Sequence, residues 1–227
     1  MNANTREAAQ DTDSHTVVQG THQPDNPAEM QILSLEIFRQ LALGQPALGA
    51  ALGLSEAVIG ERLQSYAPSV IDFDAAGAIT GFSGLTTRET RHRFEIDGRT
   101  LYAWCAFDTM FLPEILGRAA AVRSTCPATD RLISLTIDAD GVRGASPETA
   151  VISMINPSAE EARADTRGAF CGYVNYFASE SAYDSWAKEH PGATFLTLED
   201  AHVKGRERNA NRYKDVPDLL RRPGAAN

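Results

Sequence analysis

The hydrophobic pattern first becomes regular at "MQILSLEIFRQLALG", residues 30 to 44. Ile32, Leu35, Phe38 and Leu41 recur there at helical spacing and predict a helix that Gly44 stops. "QPALGAALGLSEAVIGERLQSY" follows, with a short helix around Pro46 to Leu52, a turn at Gly53, and a second helix capped by Ser55 and running to about Ser65. "VIDFDAAGAITGF" alternates like a hairpin around Gly77. Three helices and a hairpin make a winged-helix-like unit over residues 29–88.

From about Thr90 the period shortens to two. "RHRFEIDGRTLYAW" predicts paired strands with Asp97-Gly98 in the turn. "AAVRSTC", "RLISLTID" and "AVISMIN" are further strands, separated by turns at "CPATD" and "DADG". "PSAEEARADTRG" predicts a helix, "FCGYVNYFAS" a strand, and "SAYDSWAKEHPG" a helix capped by Ser181. The fold class expected is therefore α+β: the helical module, then a mixed α+β domain with antiparallel strands over residues 89–215. Residues 1–28 are polar and nearly free of large apolar side chains, so a mobile tail is expected, with a flexible C-terminus over 216–227.

Composition narrows the classes of function. A net charge of −9 disfavours general nucleic-acid affinity, which depends on neutralising phosphates with Lys and Arg. The second helix of the pair carries Glu56 and Glu61 against Arg62, a poor surface for a DNA groove. No apolar run reaches the roughly 18 residues of a membrane span, and the first thirty residues show no secretory core. The expectation is a cytoplasmic protein with neither membrane nor nucleic acid as partner. No phosphate-binding glycine loop and no HExxH motif occurs.

Candidate chemistry concentrates in "LYAWCAFDTMFLP", residues 101–113. "LYAW" suits a buried strand and "AFDTMF" a short helix ending or kinking at Pro113, which puts Cys105 at the junction. A thiol at a helix N-terminus is expected to have a lowered pKa. Asp108, three residues on, shares its helical face, and apolar surroundings should raise its pKa. Such a pair has the parts of an acid–base site. It is also the pattern of a buried cysteine beside a helix-capping aspartate, and spacing leaves both readings open.

The words around these residues add information. "HRFEIDGRTLYAWCAFDTMFLPEILGR", "STCPAT" and "FCGYVNYFASESAYDSW" together resemble the alkylmercury (organomercurial) lyase family, whose Tyr-Ala-Trp-Cys-Ala-x-Asp-Thr segment supplies a catalytic cysteine and aspartate. The resemblance extends back to about residue 31. It implies that Cys105 and Cys171 bind mercury, that Asp108 carries the proton, and that Cys126 is structural. It also implies an enzyme without a prosthetic group that needs excess low-molecular-weight thiol for product release. The substrate would be an organomercury compound, and Hg(II) would pass to a mercuric reductase or cellular thiols. Family members often carry another Cys after the second catalytic one, followed by a His-rich strand. Gly172, Tyr173 and Asn175 stand there instead, which bears on product handling.

Soft Hg(II) selects thiolates, so the residue types suit the implied chemistry. Trp104, Phe107, Met110 and Phe111 are expected to keep Asp108 protonated and to accommodate the organic group. The competing class is a non-enzymatic soft-metal binder, either a mercury-sequestering protein or a metal-responsive winged-helix regulator. Structural zinc lacks a close CxxC pair, and a cysteine hydrolase lacks a suitable His. His92 is expected at a surface or strand edge. "KGRERNANRYKDVPDLLRR" is locally basic, the pattern of a solvated helix face or of a surface for an anionic partner.

Overall fold

Strands β1 (Ile71–Phe73), β2 (Ile79–Phe82), β3 (Leu85–Thr86), β4 (His92–Ile96) and β5 (Arg99–Ala103) join β6 (Ala120–Thr125), β7 (Leu132–Ile137) and β8 (Val142–Ser146) in one sheet. Its order is β1-β2-β3-β5-β4-β6-β7-β8, with antiparallel neighbours throughout. The computed structural model describes residues 27–45 and 68–220, together with Ala47, Leu63 and Tyr66. Of the tail expected over 1–28, residues 1–26 lie outside the described residues, while Pro27 and Ala28 open a helix. Most of the two short helices expected between Pro46 and Ser65 also lies outside them. So do residues 221–227 of the C-terminus expected to be flexible from 216, whereas Pro217–Leu220 is helical. The hairpin expected as a wing is β1–β2, and β3 ties it by hydrogen bonds to β5.

Helix α1 (Pro27–Leu41) buries Leu33, Leu35, Ile37, Phe38 and Leu41, whereas Ile32 faces solvent at 40% exposure. Phe38 packs edge-on against Phe82 of β2, with ring centroids 5.2 Å apart. Gly44 closes the helix end at φ +76°.

The β2–β3 turn is tight. Phe82 pairs with Leu85, so Ser83 and Gly84 form a two-residue loop with φ of +47° and +108°. Both signs positive is the primed geometry that matches strand twist.

Helix α2 (Ala106–Leu116) runs past Pro113 instead of stopping there. Proline removes one backbone hydrogen bond at a cost of about 3 kcal/mol. Burying Met110, Phe111, Leu112, Ile115 and Leu116 offsets it, at roughly 1.5–3 kcal/mol for each large side chain.

A second sheet sets β9 (Val151–Met154) between two partners. Helices α3 (Ala159–Ala164) and α4 (Thr166–Ala169) follow β9 and lead into a 3-10 turn, Cys171–Tyr173. The strand expected across "FCGYVNYFAS" is thus only β10 (Tyr176–Phe177). The backbone bonds of the turn draw the chain out of extension, with Tyr173 N–H donating to Phe170 O at 3.0 Å and Val174 N–H to Cys171 O at 3.3 Å. Helix α5 (Glu180–Ala187) is capped by Ser179, which accepts from Ala182 N–H, and not by Ser181. Strand β11 (Thr194–Thr197) completes the sheet and feeds helix α6 (Leu198–Arg212), capped by Thr197. A last turn, α7 (Pro217–Leu220), ends the described chain.

Helices α2 and α6 cross closely at Gly205. A Cβ there would lie 3.1 Å from the backbone of Met110, so only hydrogen fits without displacement. Asn209 locks the crossing by donating to Phe111 O at 3.0 Å and Glu114 Oε2 at 2.8 Å. No described helix is long and apolar enough to cross a membrane.

Candidate functional site

Cys105 is the N-cap of α2, with extended backbone at φ −144°. Its N–H donates to Asp108 Oδ2 at 2.9 Å, so the aspartate folds back over the first turn as the second half of a capping box. The next N–H, of Ala106, donates to Val174 O at 3.0 Å. That bond pins the helix start to the turn carrying Cys171, sixty-six positions beyond Cys105. Ser153 of β9 holds the turn from the other side. Its hydroxyl donates to Tyr173 O at 2.7 Å and accepts from Asn175 N–H at 2.9 Å. Asn175 Nδ2 also donates to Gly172 O at 3.3 Å, which braces the turn from within.

The outcome is a buried convergence. Sγ of Cys105, Sγ of Cys171 and a carboxylate oxygen of Asp108 all lie within 4.8 Å of one another. Among the described residues this is the group of three His, Cys, Asp or Glu side chains able to share one metal ion, and Cys126 is not in it. Two sulfurs and one oxygen suit a soft, thiophilic ion.

Burial sets the proton inventory. The thiol of Cys105 is fully buried; burial, a hydrogen bond with Cys171 and the charge of Asp108 hold it well above the ordinary cysteine value. This reverses the sequence expectation of a lowered pKa. The helix dipole favours a thiolate by about 0.3–1 kcal/mol, which complete desolvation beside a carboxylate exceeds. Asp108 is raised from 3.8 to about 6 by burial, against the opposing pull of its hydrogen bonds with Cys105 and the charge of Arg208. The direction expected from sequence holds: burial favours the proton on both Cys105 and Asp108, and of the two the carboxyl group gives its proton up at the lower pH.

A cavity of about 140 Å³ opens on this cluster. Cys171 and Asp108 line it, while Cys105 sits behind them. Trp104, Phe107 and Phe111 form an apolar wall; Met110 instead points into the core at 1% exposure. Arg167 braces that wall. Its guanidinium lies 4.4 Å from the Trp104 ring centroid and makes two hydrogen bonds to Asp72, at 2.6 and 3.0 Å.

Sequence reading missed Gly84, whose absent side chain leaves room for Asp108. A Cβ there would lie 2.6 Å from Asp108 Cγ. The signal was present, since Ser-Gly between the apolar residues Phe82 and Leu85 is a hairpin-turn dipeptide. Thr109 and Tyr176 were also missed. Their hydroxyls meet at 2.6 Å, and the Thr109 hydroxyl contacts Ala106 O at 2.7 Å, which fixes the first turn of α2 against β10.

Two other assignments change or sharpen. His92 is not at a surface or edge. It lies 2% exposed on β4, inside the sheet, where Ser124 Oγ is 3.0 Å from Nδ1 and burial pushes its pKa down to about 3. Cys126 is buried in the turn after β6, its N–H donating to Arg131 O at 2.9 Å. Burial opposes its ionisation, yet hydrogen bonds with Thr129, Ala178 and Ala128 leave its thiol below the ordinary value.

Comparison with known proteins agrees with this geometry. The profile of the family described as alkylmercury lyase matches residues 85–208. An alkylmercury lyase of Pseudomonas putida is 39% identical over 196 residues, covering 85% of this chain and 90% of that one. An alkylmercury lyase of Streptomyces lividans is 47% identical over 135 residues, covering 60% of this chain and 61% of its own length. Among solved structures, the mercury-bound form of MerB2 superposes with a TM-score of 0.69 at 24% identity over 86% of this chain and 93% of that one, a likeness of fold.

Proposed function

The chain belongs to the alkylmercury lyase family and cleaves carbon–mercury bonds, and we propose that Cys105, Cys171 and Asp108 carry out that cleavage. The observation that supports this assignment is the meeting of two thiols and one carboxyl group within 4.8 Å at a cavity with an apolar wall.

The reaction begins with ligand exchange. Cys171, the thiol that lines the cavity, captures R–Hg⁺ from a carrier thiolate, and its proton leaves on the departing carrier thiol. The organic group rests against Trp104, Phe107 and Phe111. Cys105 adds next. Mercury acidifies its thiol, and the Asp108 carboxylate, with a pKa of about 6, takes the proton. Two sulfur donors now push electron density toward carbon. Asp108 delivers the same proton to that carbon as the bond breaks, R–H leaves, and Hg(II) stays on Cys105 and Cys171 with the carboxylate as a weaker third ligand. The balance is R–Hg–SR′ plus two cysteine thiols giving R–H, HS–R′ and one dithiolate-bound Hg(II). No prosthetic group enters these steps. Excess low-molecular-weight thiol then withdraws Hg(II) by exchange, and a mercuric reductase or the cytoplasmic thiol pool receives it.

Gas chromatography of the headspace over methylmercury, protein and excess cysteine tests the assignment. Methane is expected from the wild type, with a loss of at least about 1,000-fold in each of Cys105→Ala, Cys171→Ala and Asp108→Ala, because residues acting as a unit fail together. Undiminished methane from folded Cys171→Ala or Asp108→Ala would remove that residue from the mechanism. A protein that binds methylmercury tightly yet releases no methane would instead be a sequestering protein.

A further inference from the structure

Helix α6 carries a row of cations that meets the bond-cleaving chemistry only through the charge of Arg208 on Asp108. Lys204, Arg208 and Arg212 recur at intervals of four residues, which places them on one stripe, and all three line the cavity. Like charges at this spacing repel one another, and the chain as a whole carries −9. Among the described residues neither Lys204 nor Arg212 forms an ion pair with a carboxylate. Arg206, on another face of the helix, does: it lies 3.6 Å from Glu114.

Packing fixes the stripe in place. The Gly205 crossing and the Asn209 bonds seat α6 on α2, and the Arg208 guanidinium lies 3.7 Å from the Phe111 ring centroid. Arg208, pushed down to about 10 by burial, keeps its charge near neutrality. The cavity therefore has two chemically distinct parts, an apolar wall with the thiols and a cationic one on α6. Methyl or phenyl groups on mercury fit the first and gain nothing from the second.

We propose that Lys204, Arg208 and Arg212 form a carboxylate subsite for the mercury compound as it arrives, selecting ligands whose carboxylate hangs from the atom bound to mercury. The proposal rests on the lyase reading of the two thiols, since a mercury held by Cys171 places its other substituents in this cavity. Two sources could supply the carboxylate: the carrier thiolate that leaves during capture, or the organic group itself. A carrier that docks on the cations brings R–Hg to Cys171, and the same contact would hold the incoming thiol that later withdraws Hg(II).

Stopped-flow quenching of tryptophan fluorescence reads mercury capture without requiring hydrocarbon release. In the carrier arm, methylmercury is presented as its 3-mercaptopropionate or its 2-mercaptoethanol complex. In the organic-group arm, 4-carboxyphenylmercury and phenylmercury are compared, both with 2-mercaptoethanol. Capture of the carboxylated member is expected to be faster by on the order of 10-fold at low ionic strength in at least one arm, shrinking as salt screens the charges. Lys204→Gln combined with Arg212→Gln should abolish most of that ratio, and Arg206→Gln should preserve it. Equal rates within both arms would overturn the proposal, as would a preference that survives the double substitution. A carboxylate preference without any hydrocarbon in the headspace would leave this subsite standing and count against the lyase chemistry alone.

Discussion

Gly84 lies directly beneath Asp108: a Cβ on Gly84 would come within 2.6 Å of the Asp108 carboxyl carbon and within 2.9 Å of its Cβ. The aspartate that caps α2 thus occupies the space a side chain on the β2–β3 turn would fill. Gly84→Ala must either push Asp108 away from Cys105 or distort a turn held at φ +108°. A loss of about 1–3 kcal/mol in denaturant unfolding is expected, with methane production falling by at least about tenfold. A stable variant with full activity would show that the turn yields without moving the carboxyl group.

Asp108→Asn should stabilise the protein while inactivating it. The folded carboxyl holds its proton up to about pH 6, the unfolded one only to about 3.8. Its contribution to stability is therefore intact below about pH 4 and is lost as pH rises through 6. Above that, ionising the buried group costs roughly 1–3 kcal/mol, which the neutral amide avoids. Urea midpoints for wild type and variant should diverge between pH 4 and 7, with the variant higher at pH 7. Parallel curves would mean that Asp108 ionises freely.

The same group shapes the pH dependence of turnover. Asp108 accepts the Cys105 proton only as carboxylate, so kcat/KM should fall as pH drops through about 6. Methane release from pH 4.5 to 8 under subsaturating methylmercury measures this. A rate that climbs on acidification would instead require a proton stored on Asp108 from the outset.

Cys126→Ala tests the structural role of the third cysteine. Its thiol is buried and hydrogen-bonded with Thr129 and Ala178 rather than joined to the Cys105 cluster. Removing it leaves a small cavity and unmatched donors, expected to cost about 1–3 kcal/mol. Turnover of the folded variant should stay within a few-fold of wild type. A folded but inert variant would place Cys126 in the chemistry.

The sequence by itself determined the local pieces. Periodicity predicted α1 and most strands of the large sheet, because burying one face imposes a repeat of 3.6 or 2 on apolar residues wherever they lie. It marked the Asp97-Gly98 turn and the strand-to-helix junction at Cys105, since turns and caps depend on neighbouring residues alone. The juxtaposition of Cys105 and Asp108 is likewise local, one turn of helix closed by a single hydrogen bond of 2.9 Å. The family resemblance supplied Cys171 through its sequence words, without any geometric reason for its arrival at the site. That arrival is tertiary: it depends on Ala106 bonding to Val174 and on Ser153 bonding the turn. The proton inventory was also beyond sequence. The N-terminus of a helix lowers a thiol's pKa through a field of limited strength, whereas full burial beside a carboxylate raises it, and only the packed structure decides which is larger. The same holds for His92 and Pro113. Each has a default behaviour in isolation, and each is overruled by what the rest of the chain packs against it.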